Sequence, residues 1–210
     1  MLSRRRMMDS KPYNYEVEYL ESDGTNIFRV DTGFIPTANC TIHIECMQTN
    51  NQSIGFWPIA NSKWYNQLGA FEFVVNQETH CRFNYENANR SHVFNGYKVV
   101  GDYIKINITT TTSSVTFNYV VEARGYNQNY VYNYSPSLIA QEQVSMWNRN
   151  HSTAAATCGR IYKWKASVNG VAVRDFIAVV KDGVGYLYDK VTKQFYGDDN
   201  GNAFIIGPRK

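Results

Sequence analysis

The chain has 210 residues, 43% of them hydrophobic, enough to bury one sizeable core and too many for a disordered chain. Sixteen Tyr, eleven Phe and four Trp favour pleated sheet. The formal charge of +3 lies wholly within residues 1–12, and the neutral remainder excludes a broad nucleic-acid footprint, which needs Lys and Arg gathered on one face.

The chain opens on a basic arm, MLSRRRMMDSKP, with Arg4, Arg5, Arg6 and Lys11 set against Asp9. It has the positive start of a signal peptide but no apolar stretch behind it. The arm is expected to anchor the protein to an acidic neighbour or to phosphate through arginine forks, and any contact with nucleic acid is expected through it alone. No run reaches the ~20 apolar residues that span a bilayer as a helix, so no membrane partner is expected. One domain is expected over residues 13–210.

Within that body, period-two alternation predicts strands at 13–20, 40–47, 70–75, 80–85, 103–109, 114–121, 159–168 and 171–180. In CTIHIEC, Cys40, Ile42, Ile44 and Cys46 alternate with Thr41, His43 and Glu45, so both cysteines read as small core residues. The other two are Cys81 and Cys158; without a C-x-x-C pair, the four predict neither a disulfide scaffold nor a zinc site. Residues 137–147, SLIAQEQVSMW, carry the one weak helical pattern.

Asn169-Gly170 and Asp182-Gly183 fall between apolar strands, where type I′ hairpin turns need two residues with φ above zero. The glycines of 173–204 therefore reverse strands. They form no G-x-G-x-x-G, and no helix follows to offer amides to a phosphate. Many short antiparallel strands, each with one apolar face, hide those faces by stacking two sheets. The expected fold is all-β, a two-sheet antiparallel jelly-roll sandwich behind a short basic N-terminal arm.

The chemistry-bearing residues are sparse. His43, His80, His92 and His151 are scattered, no G-x-S-x-G is present, and a lone His on a polar strand face reads as solvated. YGDDNGN (196–202) offers Asp198, Asp199 and Asn200 as calcium ligands but lacks the distal Glu of an EF-hand loop, and a plain acidic turn is preferred. No catalytic, metal or cofactor residue is assigned, and no cofactor is expected. Two stretches read as loops suited to a glycan or a protein partner. GFWPIANSKWYNQLG (55–69) holds Trp57, Trp64, Tyr65 and Asn66; ARGYNQNYVYNYSP (123–136) holds Tyr126 and Asn127. Aromatic faces stack on sugar rings, amides read hydroxyls, and Tyr/Asn-rich loops adapt to partners. The competing reading puts the tryptophans in the core or in a subunit contact.

Two further stretches carry a family likeness. In YLESDGTNIFRVDTGF (19–34) the matching residues are Tyr19, Glu21, Ser22, Gly24, Thr25, Asp31, Thr32 and Gly33, with two extra residues around Phe28–Arg29. In 159–208 they are Arg160-Ile161-Tyr162, Asn169-Gly170, Val173-Arg174-Asp175-Phe176, Gly185, Tyr188-Asp189, Phe195-Tyr196 and Gly207-Pro208. Together these stretches cover about a third of the chain, and 48–150 adds no motif. They resemble the concanavalin A-like, laminin-G-like jelly-roll modules of gut phage and bacterial surface proteins.

The resemblance implies an architectural signature: Asp31, Gly33, Arg174, Asp175, Phe176, Gly185, Tyr188 and Asp189. Arg174 and Asp175 are expected to pair with neighbours at a sheet edge, and Asp189 to shape the turn before Lys190. The implied function is non-enzymatic: a virion structural protein, as capsid decoration, head fibre or tail fibre. Its expected partners are other virion proteins or copies of itself, with host-surface glycans as a further ligand. The alternative is a lectin-like adhesin on a bacterial surface. Glycoside hydrolases share the fold and need two carboxyl groups roughly 5–5.5 Å apart when retaining. The nearest match to the Glu-x-Asp-x-x-Glu of jelly-roll glucanases is Glu21-Ser22-Asp23, and its second Glu is absent.

Overall fold

The computed structural model describes residues 11–50, 56–61, 69–75, 79–85, 88–94, 100–133, 142–148 and 158–210, with side chains excepted over 79–91. These residues form seventeen strands and one 3-10 turn. The first half holds β1 (Tyr15–Glu16), β2 (Leu20–Glu21), β3 (Val30–Phe34), β4 (Cys40–Gln48), β5 (Phe56–Ala60), β6 (Phe71–Val75), β7 (Thr79–Tyr85), β8 (Ala88–Phe94) and β9 (Ile104–Thr110). The second holds β10 (Ser114–Val121), the turn Glu122–Arg124, β11 (Tyr126–Asn133), β12 (Val144–Trp147), β13 (Gly159–Val168), β14 (Val171–Lys181), β15 (Val184–Asp189), β16 (Gln194–Tyr196) and β17 (Ile205–Ile206).

The strands form the two stacked sheets that the alternation predicts. The larger has eleven strands in the order β11-β10-β9-β4-β13-β14-β15-β16, with β1, β2 and β17 joined beside that path. The smaller has the order β3-β12-β5-β6-β7-β8. The inward residues of β4, β9, β10 and β13 alternate with polar ones, and Cys40, Ile42, Ile44, Cys46, Ile106, Ile108, Phe117 and Trp164 are buried. Across the gap, Phe71 and Phe73 lie 5.8 and 6.3 Å from Phe117, and Phe73 stacks on Tyr119 at 5.7 Å. Each such ring contributes roughly 2–3 kcal/mol by leaving water, so the aromatic seam between the sheets is a large source of stability.

Both expected hairpins are present. Asn169 and Gly170 have φ of 50° and 77°, Asp182 and Gly183 of 53° and 81°, which are the two positive-φ positions of a type I′ turn.

The sandwich is closed by its two ends together. β13 and β14 pair near their turn, Trp164 opposite Phe176 through Val168 opposite Val171, and then diverge. The fork is filled by chain from both ends of the body. Leu20 and Glu21 pair with Ile161 and Arg160, Tyr15 and Glu16 with Val180 and Val179, and Ile205 and Ile206 with Glu21 and Leu20. Gly185 lies beneath this plug: a Cβ there would meet Leu20 Cδ2 at 2.8 Å and Ile206 Cγ1 at 3.3 Å.

Several expectations are corrected. The weak helical pattern does not become a helix over 144–147, which form β12 with all four side chains buried between β3 and β5; 137–141 lie outside the described residues. Trp57 belongs to β5, and Tyr126 and Asn127 to β11, so these residues stand on strands and not in loops. Arg174 and Asp175 are not at a sheet edge, because β14 runs between β13 and β15.

Candidate functional site

The outer face of the large sheet carries the side chains that alternate with the core positions. There a groove of about 520 Å³ is lined by Glu18, Glu45, Tyr103, Tyr162, Lys163, Lys165, Asp175, Ile177, Lys190 and Lys210. A second hollow of about 240 Å³, lined by Thr41, His43, Ala166, Ser167, Ala172 and Arg174, shares Lys165 and Asp175 with it. The two form one trough across β4, β13 and β14.

Glu45 organises the first half. Its Oε1 lies 2.8 Å from His43 Nε2 and accepts from Lys163 Nζ at 3.1 Å, while Oε2 accepts from the Tyr103 hydroxyl. Burial alone would raise its pKa, but the bonds from His43, Tyr103 and Lys163 outweigh burial and hold the carboxyl at about 2, against an ordinary 4.5. Burial and the bond to Glu45 push the Tyr103 phenol well above its usual range. The folded-state pKa of Glu45 is depressed, so its contribution is complete above the unfolded value and is lost as pH falls towards 2. Wild-type stability is therefore expected to drop by on the order of 2–3 kcal/mol through this group between about pH 5 and pH 2. Glu45→Gln should flatten that part of the profile in urea titrations.

A polar ladder leaves this cluster at right angles to the strands. His43 Nδ1 lies 2.7 Å from Asn107 Oδ1; Asn107 Nδ2 donates to Asn118 Oδ1 at 2.9 Å; Asn118 Nδ2 donates to Asn127 Oδ1 at 2.7 Å. It crosses β4, β9, β10 and β11 in turn. His43 is thus a member of a network and not merely solvated. In the middle of the trough, Asp175 lies between Lys165 at 3.1 Å and Lys190 at 3.2 Å. These lysines are 42% and 45% exposed, so the pairs add little stability and serve to fix where the charges stand.

The signature residues from the two ends of the sequence meet at one rim. Arg174 donates from Nε to Thr32 O at 2.7 Å and from Nη2 to Gly33 O at 2.8 Å, tying β14 of the large sheet to β3 of the small one. Gly33 has φ of 61°, its N–H donates to Asp31 Oδ1 at 3.0 Å, and a Cβ would come within 2.9 Å of Arg174 Nη2. Asp189 is fully buried beside Arg174 at 3.8 Å and accepts from Asp175 N, Val191 N and the Thr192 hydroxyl. Phe176 packs edge-on to Trp164 and Tyr196, and Tyr188 lies against Tyr13 and Phe195.

The remaining acidic candidates have partners of their own. Glu21 accepts from Arg160 Nε at 2.7 Å, Ser22 is buried against Gly159, and Asp23 holds the amides of Thr25 and Asn26. Asp198 accepts from the amides of Arg29, Asn200 and Asn202, and Asp199 pairs with Arg29 Nε at 2.8 Å. The acidic turn thereby holds the segment around Arg29. Among the described residues no three His, Cys, Asp or Glu side chains cluster as metal ligands.

Of the predicted contact residues, Trp57 is half-buried on the small sheet and pairs across from Trp147. Tyr126 packs edge-on to Tyr119, and Asn127 ends the ladder on the large sheet. These sites are on different sheets and are not brought together. Lys11 bonds to Glu16 at 3.0 Å. Arg4, Arg5, Arg6, Trp64, Tyr65 and Asn66 lie outside the described residues. Of the trough residues, Tyr162 was marked only as part of Arg160-Ile161-Tyr162, and Tyr103, Lys163, Lys165 and Lys190 were not singled out from the sequence; Lys163 and Lys165 are signalled only by their place on the polar side of β13, while Tyr103 and Lys190 lie just outside β9 and β15.

No family model matches the chain, and no curated protein matches it. Solved structures do. The enzymatically active domain of tailspike protein 2 from bacteriophage CBA120 aligns with a TM-score of 0.52 at 9% identity, over 70% of this chain and 25% of that one. Full-length tailspike protein 2, from the Escherichia coli O157:H7 phage, gives 0.52 at 9% over 77% and 27%. This chain thus spans about a quarter of the tailspike's length. Scytalido-glutamic peptidase gives 0.45 at 12% over 81% and 91%, and arcelin-5, a lectin-like defense protein of Phaseolus vulgaris, 0.44 at 9% over 73% and 93%. The likeness to the tailspike is one of fold.

Proposed function

We propose that the chain is a non-enzymatic structural protein of a phage virion, a capsid-decoration, head-fibre or tail-fibre component. Its jelly roll, read as concanavalin A-like, serves assembly on the particle surface and attachment to host glycans. The observation that carries this reading is the state of the acidic side chains. Glu21, Glu45, Asp175, Asp189 and Asp198 are each held by cations or amides, an arrangement suited to rigidity rather than to proton transfer. Closure of the body by its own two ends, the family likeness at those ends and the tailspike-like fold support it. The basic arm, with Arg4, Arg5 and Arg6, is the anchor to neighbouring virion proteins.

The trough supports the glycan half of the proposal. It is long and open, it is floored by fixed lysines and carboxylates that exchange hydrogen bonds with hydroxyls, and Tyr162 borders it. Each half has its own experiment. Mass spectrometry of purified particles should find the full chain, and a version lacking residues 1–12 should fold but fail to incorporate. On a glycan array the purified chain should bind, and Tyr162→Ala with Lys165→Ala should weaken that binding at least about tenfold. Absence from particles, with the chain on a bacterial envelope, would favour the adhesin reading; a blank array would remove the glycan role.

A further inference from the structure

We infer that β11 is a docking edge for a second copy of this chain, pairing antiparallel with its own counterpart across a two-fold axis. β11 ends the large sheet, and among the described residues no strand pairs with its outer side. A bare edge strand offers alternate N–H and C=O groups to any passing strand, and proteins that must stay single blunt such edges with charge, proline, bulges or brevity. β11 has none of these. Its eight residues, YNQNYVYN, include no charge and no proline. Its register with β10 runs unbroken from Val121 opposite Tyr126 to Ser114 opposite Asn133, so no bulge turns it away. Val131 on it is 51% exposed.

The other edges differ. β16 at the far side of the large sheet is three residues long. On β3, the carbonyls of Thr32 and Gly33 are occupied by Arg174. β8 has a charged residue, Arg90, among its seven. β11 is also held straight from within, since Tyr130 stacks on His92 at 3.9 Å and Tyr132 meets Phe117 edge-on at 5.8 Å. A rigid strand loses little entropy on pairing.

A second copy is the occupant that this chemistry fits. Antiparallel pairing of a strand with itself is self-complementary, as a two-fold interface requires. A neutral strand meets its own copy without repulsion, and it offers a charged partner strand no counterpart. The amide ladder from His43 ends on β11 at Asn127, and Asn129 and Asn133 follow on the same face. A facing copy would continue that ladder across the axis.

Sedimentation velocity on the full chain over a wide concentration range tests this. Wild type should be a dimer. Val131→Lys and Val131→Glu, each by itself, should weaken self-association at least about tenfold by bringing like charges near one another across the paired strands. Their equimolar mixture should restore the dimer. Unchanged circular dichroism and melting would show that each variant folds, the position being solvent-exposed. A monomeric wild type, a Val131→Lys variant that dimerises like wild type, or a mixture that stays monomeric would each overturn the inference.

Discussion

Replacing Asp189 by Ala is expected to cost about 3–5 kcal/mol of stability, the usual penalty for breaking a buried charged group away from its partners. In a chain of this size that lowers Tm by roughly 10 °C or more. The carboxylate has no exposure to water. Its Oδ1 accepts from Asp175 N at 2.9 Å and Val191 N at 3.0 Å, and its Oδ2 from the Thr192 hydroxyl at 2.9 Å. It therefore shapes the turn after β15 and ties that turn to β14. Alanine would leave two amides and a hydroxyl without acceptors in a dry site, and the Arg174 guanidinium, 18% exposed, without its counter-charge. Asparagine is a milder change, because Asp189→Asn keeps one acceptor oxygen for the two amides and removes the charge. It should cost about 1–2 kcal/mol. Urea unfolding of both variants checks the order, and an Asp189→Ala variant within about 1 kcal/mol of wild type would refute the role given to this carboxylate.

The same rim shows why a local motif can be legible without its partners being so. Val-Arg-Asp-Phe and Asp-Thr-Gly are readable as short patterns, but the bond from Arg174 Nε to Thr32 O joins residues 142 apart in sequence. The trough is similar, since Lys163 and Glu45 lie 118 residues apart and meet only because β13 pairs with β4. Period-two alternation told which side of each strand those residues occupy. It held no information on which strands are neighbours, and that placement makes the site. Tyr126 and Asn127 were misread as loop contacts for a related reason. In YNQNYVYN the core-facing residues are tyrosines, which look like binding residues until Tyr130 and Tyr132 are seen packed against His92 and Phe117.

The strands themselves divide along a physical line. β10 and β13 match their predicted bounds, 114–121 and 159–168, because one face is apolar and the other polar. β5 and β12 escaped notice because FWPIA and VSMW are buried on nearly every residue. A strand covered on both faces has no alternation to read, and in VSMW the apolar run merged with a weak helical pattern.

Gly159→Ala is the other substitution with a large expected effect, and here the cause is volume. Gly159 begins β13 directly beneath Phe56 of the opposite sheet, where a Cβ would stand 2.5 Å from Cδ2 and Cε2 of the ring and 2.8 Å from Cγ. Neither side can yield readily. Phe56 is fully buried. The Gly159 backbone is pinned by Trp147 Nε1 donating to its carbonyl at 2.9 Å, by Ser22 N donating to that carbonyl at 3.1 Å, and by its own N–H donating to Ser22 Oγ at 3.0 Å. Forcing a methyl into so tight a contact costs about 3 kcal/mol. The expectation has an internal control, because the obstacle is the ring. Phe56→Leu alone should cost about 1–2 kcal/mol, yet combined with Gly159→Ala it should recover much of the second loss, giving a coupling of about 1 kcal/mol or more. If chemical denaturation finds the two losses additive, the clash is not with Phe56, and the glycine is required by the path of the backbone instead.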